Sequence, residues 1–231
     1  MLPTELLLVL LFLLSFSIFS YKKNLLDFEG ILIANAVGLA AITYGPNPLL
    51  DFAAVVIFFV LGEIASNYPK KKHEQRTIWN VIGNSLPALV LLSMILVYPK
   101  WSLAFELAFF GAVSAALADT LSSEVGYYSK KPPVMITTFK KVVRGTDGGV
   151  TLLGEAAAFL GGLAIAVLYF LAYQNLAGFF IILFSGLVGT NADSVAGALF
   201  ETKKILNNTH VNLIGSMAGA LFALALALIL V

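Results

Sequence analysis

Eight apolar stretches follow one another along the chain, and this alternation with short polar segments constrains the fold more than any other feature. A transmembrane helix needs about 20 mostly apolar residues. The stretches cover residues 6–19, 31–44, 49–66, 79–98, 102–121, 150–173, 178–200 and 211–231. The second stretch is short, and we expect a tilted or partly re-entrant helix there. The sequence therefore predicts an all-α fold, a polytopic transmembrane helix bundle of about eight spans in one domain, residues 1–231.

Composition agrees with a chain that lies mostly within a bilayer. Hydrophobic residues make up 59% of the 231 residues and charged residues only 12%, against about 45–50% and about 25% in soluble domains. These values exclude a disordered chain, a nucleic-acid-binding protein and an ordinary soluble globule. The chain contains no cysteine, so disulfides, zinc–thiolate sites and thiol nucleophiles are excluded as well.

Positive charge is confined to every second loop. The loops at residues 21–30, 67–78, 122–149 and 200–210 hold all of the 14 lysines and arginines except Lys100. Eight spans place these loops on one side, which the positive-inside rule assigns to the cytoplasm. We therefore expect an integral protein of the cell membrane with both termini outside. Lys70, Lys71 and Lys72 are expected to form a solvated or headgroup-binding patch.

Several carboxylates lie near the predicted cytoplasmic helix ends, where acids are costly and frequently functional. Asp119, Glu124 and Asp193 are the candidate ligands of Mg²⁺ or Mn²⁺, because hard cations bind carboxylates together with substrate phosphates. Asp119 and Ser123 share a helix face, but Glu124 reaches the same ion only if the helix ends or unwinds between residues 121 and 123. The alternative is that these acids bond to neighbouring helices.

A glycine-rich segment, residues 145–149, precedes the sixth span. Glycines let a backbone approach a ligand closely, and a helix N-terminus favours phosphate. Lys140, Lys141 and Arg144 come just before it. We interpret the segment as phosphate-binding, with helix capping by a flexible turn as the alternative.

Arg76, Asn80 and Asn84 recur every four residues and so share one helix face. They either bond another helix or hold phosphate or ribose oxygens in a cytosolic pocket, and Asn212 is interpreted in the same way. The remaining candidates for binding substrate or nucleotide are Thr120, Ser123, Gly145, Thr146, Asp147, Gly148 and Gly149.

These residues resemble the motifs of an integral-membrane family that includes the plant phytyl-phosphate kinase. The matching segments are Arg76 with residues 80–84, residues 118–126, Thr138 to Val142, residues 145–151, Gly154, and Asp193 with Ser194. The resemblance extends over about residues 25–231. The chain is also distantly similar to dolichol and phytol kinases and to CDP-archaeol synthases.

The resemblance implies phosphorylation of a phytyl or geranylgeranyl monophosphate to the diphosphate, with CTP or another nucleoside triphosphate as donor. It implies Mg²⁺ held by Asp119, Glu124 and Asp193, with Arg144 acting on the phosphates. The expected partners are the lipid phosphate, the nucleotide and membrane lipids, without nucleic acid, and a homodimer is a candidate assembly. Two alternatives stay open, a cytidylyltransferase that makes a CDP-lipid and a lipid or small-molecule transporter.

Overall fold

The computed structural model describes residues 3–66 and 76–230, and it confirms the predicted all-α bundle. Lys70, Lys71 and Lys72 of the predicted basic patch lie outside the described residues. The helices of the described ranges are α1 (Pro3–Lys23), α2 (Phe28–Tyr44), α3 (Pro48–Ser66), α4 (Ile78–Val97), α5 (Ser102–Gly126), α6 (Leu152–Tyr173), α7 (Leu176–Ala196) and α8 (Asn208–Leu230).

Seven of these helices are long and apolar enough to cross a membrane. The exception is α2, an apolar helix of 17 residues, which agrees with the expectation of a short second span. A 3-10 turn, Pro99–Trp101, joins α4 to α5, and a π-helical turn, Gly197–Glu201, extends the end of α7.

Helix α5 is the centre of the bundle and packs against α3, α4, α6, α7 and α8. Small residues make this possible. A Cβ atom on Gly189 of α7 would lie 2.3 Å from the Cβ of Ala115 on α5, and one on Gly219 of α8 would lie 2.5 Å from the same atom. Such contacts leave no room for larger side chains, as at small-residue interfaces between membrane helices. The backbones of α5, α7 and α8 are therefore held close together.

The loops at one end of the bundle pair with one another, and we call this end the loop end. Residues 24–27, 76–77, 127–151 and 197–207 belong to it. Asp27 joins two segments of the loop end. The Oδ1 atom of Asp27 accepts a hydrogen bond from Gly30 N (2.7 Å), and its Oδ2 atom accepts one from Ile78 N (3.1 Å). One carboxylate thus caps the N-termini of both α2 and α4.

The segment between α5 and α6 folds into a small antiparallel hairpin that the sequence does not predict. Strand β1 (Val134–Met135) pairs with β2 (Gly149–Val150), with Val134 opposite Val150 and Met135 opposite Gly149. Thr151 follows β2 and caps α6 by accepting a hydrogen bond from Gly154 N at 3.0 Å. The hairpin therefore delivers the glycine-rich segment directly to the N-terminus of α6.

Candidate functional site

Asp119 on α5 and Asp193 on α7 meet inside the bundle near the loop end. Their carboxyl groups lie within hydrogen-bonding reach of each other, and Thr190 Oγ1 donates a hydrogen bond to Asp119 Oδ1 at 3.2 Å. Asp193 Oδ2 is buried and finds no hydrogen-bond donor among the described residues. Because two ionised carboxylates only accept hydrogen bonds, their contact requires a shared proton or a bound cation.

The close packing of α7 and α8 sets the position of this acidic pair. A Cβ atom on Gly215 of α8 would lie 2.8 Å from the Cβ of Asp193 and 3.3 Å from its Oδ2 atom. Asn212, one turn before Gly215, lines the same cavity. A glycine at position 215 therefore leaves the space that the Asp193 carboxyl occupies.

The pair opens into a cavity of about 210 Å³ at the loop end, which we call the acidic cavity. Two further acids, Glu201 and Asp147, line it and interact electrostatically with Asp193. The polar residues that line it are Asp119, Ser122, Ser123, Tyr127, Arg144, Thr146, Asp147, Thr151, Asp193, Ser194, Glu201, Asn208 and Asn212.

Glu201 and Asn208 line the acidic cavity but were not predicted as site residues. The π-helical turn carries Glu201 into the cavity, and π-turns of this kind recur at functional sites. A signal was available for Glu201, because it lies at the inner end of a predicted span, as Asp193 does. Asn208 begins α8, and nothing in its local sequence distinguishes it from a loop residue.

Residues 144–149 line the acidic cavity, and phosphate binding by this glycine-rich segment stays a prediction. Gly145 and Gly148 have positive φ angles, 82° and 75°, which suit glycine. Gly148 lies against the end of α7, where an added Cβ would be 2.6 Å from the Ser194 carbonyl oxygen. Arg144 lines the cavity and donates a hydrogen bond to the Ser129 carbonyl oxygen. Contacts at both ends of the turn, from Arg144 to Ser129 and from Gly148 to α7, therefore hold the hairpin in place.

The two lysines before this turn are placed differently. Lys140 and Lys141 are exposed and are not among the residues that line the acidic cavity. Of the basic residues predicted for phosphate binding in this segment, the structure brings Arg144 alone to the wall of the cavity.

Glu124 does not join the acidic pair. Helix α5 continues to Gly126, so the expectation that it ends or unwinds between residues 121 and 123 is wrong. Glu124 therefore lies on another face of α5, where it interacts electrostatically with Arg76, and the lining of the acidic cavity does not include it. Thr120 is not among the lining residues of the acidic cavity either, and its hydroxyl donates a hydrogen bond to the Ala116 carbonyl oxygen at 2.9 Å. Ser123 does line the cavity, as its spacing from Asp119 predicted.

Arg76, Asn80 and Asn84 line a different cavity. Asn80 and Asn84 lie on α4, but Arg76 precedes this helix, which begins at Ile78, so the prediction that all three share one helix face is wrong for Arg76. This second cavity has a volume of about 350 Å³ and lies between α1 and α5. Arg76 Nη2 donates hydrogen bonds to the Gly62 carbonyl oxygen (3.2 Å) and to Ser66 Oγ (2.6 Å) on α3. Burial lowers the pKa of Arg76, against the opposing effect of Glu63 and Glu124.

The amides near Arg76 also serve the helix itself. Asn80 Oδ1 accepts a hydrogen bond from Thr77 N at 2.9 Å, which closes the first turn of α4, and Asn84 Nδ2 donates one to the Asn80 carbonyl oxygen at 3.1 Å. Arg76 thus bonds to another helix, α3, as the alternative for this group had it, whereas Asn80 and Asn84 form these hydrogen bonds within α4 and its N-cap.

The acidic pair suits a hard divalent cation. No group of three or more histidine, aspartate or glutamate side chains within the described ranges is arranged to hold a metal ion. Mg²⁺, however, binds through one or two carboxylates together with water and substrate phosphates. Asp119 and the buried, donor-free Oδ2 atom of Asp193 provide such a pair beside the turn at residues 144–149.

Known proteins resemble this chain over most of its length. It is 33% identical to an uncharacterized membrane protein of Methanocaldococcus jannaschii over 207 residues, 87% of this chain and 85% of that protein. It is 32% identical to an uncharacterized membrane protein of Synechocystis over 188 residues, 76% of this chain and 73% of that protein. It is 29% identical to protein VTE6, chloroplastic, of Arabidopsis thaliana over 210 residues, 83% of this chain and 63% of that protein.

No solved structure matches the chain. The family model of the integral membrane protein DUF92 matches residues 11–220, which include every residue that lines the acidic cavity. On this match, and with helices of membrane-spanning length, the chain belongs to the DUF92 family of integral membrane proteins.

Proposed function

We propose that this protein is a membrane-embedded kinase for isoprenoid-lipid monophosphates. It transfers the terminal phosphoryl group of a nucleoside triphosphate, CTP in our proposal, to phytyl or geranylgeranyl monophosphate. The observation that carries the proposal is the contact of the Asp119 and Asp193 carboxyl groups in a cavity that the turn at residues 144–149 also lines. Such a cavity combines carboxylates for a cation with backbone and guanidinium donors for phosphate.

Each part of the acidic cavity has a role in this reaction. Asp119 and Asp193 would hold Mg²⁺ or Mn²⁺, and a bound ion supplies neutralisation of phosphate charge. Arg144 and the backbone N–H groups of Gly145, Asp147 and Gly148 bind phosphate oxygens, while Asn208 and Asn212 offer amides to the nucleotide. The N–H groups of Thr146 and Gly149 instead donate to the Val143 and Thr146 carbonyl oxygens. Lys140 and Lys141, exposed on the hairpin, raise the local concentration of anionic substrates.

The chemistry is a displacement at the terminal phosphorus of the nucleotide. An oxygen of the lipid phosphate forms the new O–P bond, the bond to the bridging oxygen breaks, and the nucleoside diphosphate leaves with that oxygen. Positioning and charge stabilisation account for most catalysis of this kind, so rigid placement of Asp119, Asp193 and Arg144 is the main contribution that we assign to the chain.

The orientation in the membrane is part of the proposal. The described basic loops meet at the loop end together with the acidic cavity, and the positive-inside rule places this end in the cytoplasm. Both termini then lie outside, and the nucleotide reaches the acidic cavity from the cytosol. The membrane that we propose is the cell membrane, and a homodimer stays a prediction.

The test uses the purified full chain with Mg²⁺, prenyl alcohols and monophosphates, and CTP labelled at its γ-phosphate. The proposal expects the label in the lipid diphosphate. Release of the label in pyrophosphate would instead identify a cytidylyltransferase, and transport of lipid without nucleotide consumption would identify a carrier. The Glu29→Gln variant, which changes an exposed acid in the first turn of α2, is the matched control for Asp119→Asn, which should abolish labelling.

A further inference from the structure

The cavity lined by Arg76, Asn80 and Asn84 is apolar over most of its surface, and we call it the apolar chamber. It lies between α1, α2, α3, α4 and α5. Phe16 of α1 packs edge-to-face on Phe59 of α3, with ring centroids 4.5 Å apart, and Phe12 packs in the same way on Phe52 at 5.6 Å. Aromatic pairs thus form the wall between α1 and α3.

The charged group that lines the apolar chamber, Arg76, lies at the loop end, and Asn80 and Asn84 follow on the first two turns of α4. Ser15 and Ser85 also line the chamber, and the rest of its lining, which includes Phe52 of α3 and Ala88 of α4, is apolar. From Asn80 to Ala88 the chamber follows α4 for roughly 12 Å, at a rise of about 1.5 Å per residue. The cavity is therefore amphipathic along its length, with a cationic group at one end.

We propose that the apolar chamber binds the hydrocarbon chain of the isoprenoid monophosphate, and that the chain leaves the chamber at the loop end, past Arg76, so that the head group lies in the acidic cavity. This inference rests on the proposed function and assigns the lipid tail to a site separate from the acidic cavity. The chamber volume of about 350 Å³ falls in the range of roughly 300–1,000 Å³ that is usual for small-molecule sites.

Charge and shape both favour this occupant. Arg76 is held in place by its hydrogen bonds to Gly62 and Ser66. Glu63 and Glu124 interact electrostatically with Arg76 and balance its charge while the phosphate lies in the acidic cavity. A single chamber of about 350 Å³ also suits one branched chain better than the two chains of a bilayer phospholipid.

Photolabelling of the full chain in phosphatidylcholine nanodiscs tests the assignment. The probe is geranylgeranyl monophosphate with a diazirine at the far end of its chain, and cross-linked peptides are identified by mass spectrometry. We expect labelling of α3 near Phe52 that excess unlabelled geranylgeranyl monophosphate suppresses. Labelling of outward-facing helix surfaces, or suppression by additional phosphatidylcholine alone, would overturn the inference.

A larger side chain on α3 tests the same site by reducing the volume of the apolar chamber. Val56, which lines the apolar chamber, is replaced in Val56→Phe, and we expect geranylgeranyl monophosphate to bind about tenfold more weakly because overfilling is costly. The matched control is Val167→Phe, at a position of α6 that is 39% exposed. Equal effects of the two substitutions on binding would contradict the proposed site.

Phe52→Ala keeps the proposal testable if Val56→Phe fails to fold. Removal of the ring extends the apolar chamber, so the ratio of geranylgeranyl to farnesyl monophosphate binding should rise, and an unchanged ratio would count against the site. Binding is measured without nucleotide, so it can succeed where phosphoryl transfer fails. Saturable labelling of the chamber without kinase activity would therefore refute the proposed function and leave the chamber as a lipid site.

Discussion

Gly148 lies so close to the end of α7 that a Cβ on it would be 2.6 Å from the Ser194 carbonyl oxygen and 2.5 Å from the Ala198 Cβ. Gly145 shares the positive φ of Gly148, yet no atom lies within 4 Å of the Cβ that it would carry. A side chain at Gly145 would therefore strain only the backbone, whereas a side chain at Gly148 would also clash with its neighbours.

Replacing each glycine by alanine measures this difference. Gly145→Ala should cost about 1 kcal/mol of stability from the left-handed backbone alone. Gly148→Ala should cost about 2–4 kcal/mol, because a clash adds to the strain. Thermal unfolding of the detergent-purified variants gives the comparison. Equal losses, or a larger loss for Gly145→Ala, would show that the hairpin does not pack on α7 in this way.

The Asp119–Asp193 pair predicts a metal effect on stability that does not depend on turnover. Saturating Mg²⁺ should stabilise the native chain by up to about 3 kcal/mol at a hundredfold excess over its dissociation constant. Asp193→Asn should lose most of this stabilisation, and should be no less stable without metal because two facing carboxyl groups no longer compete.

Thermal unfolding with and without Mg²⁺ provides the measurement, and Glu29→Gln is the control that should respond like the native chain. An equal Mg²⁺ response in Asp193→Asn and the native chain would exclude the pair as the cation site.

Asp27 predicts a stability cost larger than that of an ordinary helix cap. Its two oxygens cap α2 and α4, whereas Asn175 caps α7 alone by accepting a hydrogen bond from Gly178 N at 2.9 Å. At about 1 kcal/mol for each cap, Asp27→Ala should destabilise by about 2 kcal/mol and Asn175→Ala by about 1 kcal/mol. Denaturation of both variants under the same conditions tests the ratio, which would fall to one if Asp27 capped a single helix.

The helices could be predicted because apolar length is a local property. Each predicted span corresponds to one observed helix, including the short α2. The hairpin could not be predicted, since two-residue strands such as Val134–Met135 carry no alternating pattern to detect. The pairing of its strands depends on the backbone conformation of residues 140–148. Packing against the end of α7 fixes this conformation, and a local sequence pattern does not show such a contact.

The candidate site was predicted only in part, for an equally physical reason. Helix periodicity places Asp119 and Ser123 on one face of α5. Asp193 could be added to them because it lies, as Asp119 does, near the predicted cytoplasmic end of its span. The assignment of Glu124 needed a break in α5, and the buried, regular packing of that helix overrides the flexibility that Gly126 offered. Periodicity also grouped Arg76 with Asn80 and Asn84, but only the packing of α1 to α5 shows which cavity they face.

Helix α5 separates the apolar chamber on one side from the acidic cavity on the other. Val113 and Ala116 face the apolar chamber, whereas Asp119 and Ser122 face the acidic cavity. A helix with its side chains is about 10 Å across, so a ligand that touches both compartments has to pass around the loop end of α5 near Gly126. This path sets a minimum length for any ligand that contacts both cavities. It also keeps the hydrocarbon chain of a lipid apart from the water that hydrates the ions.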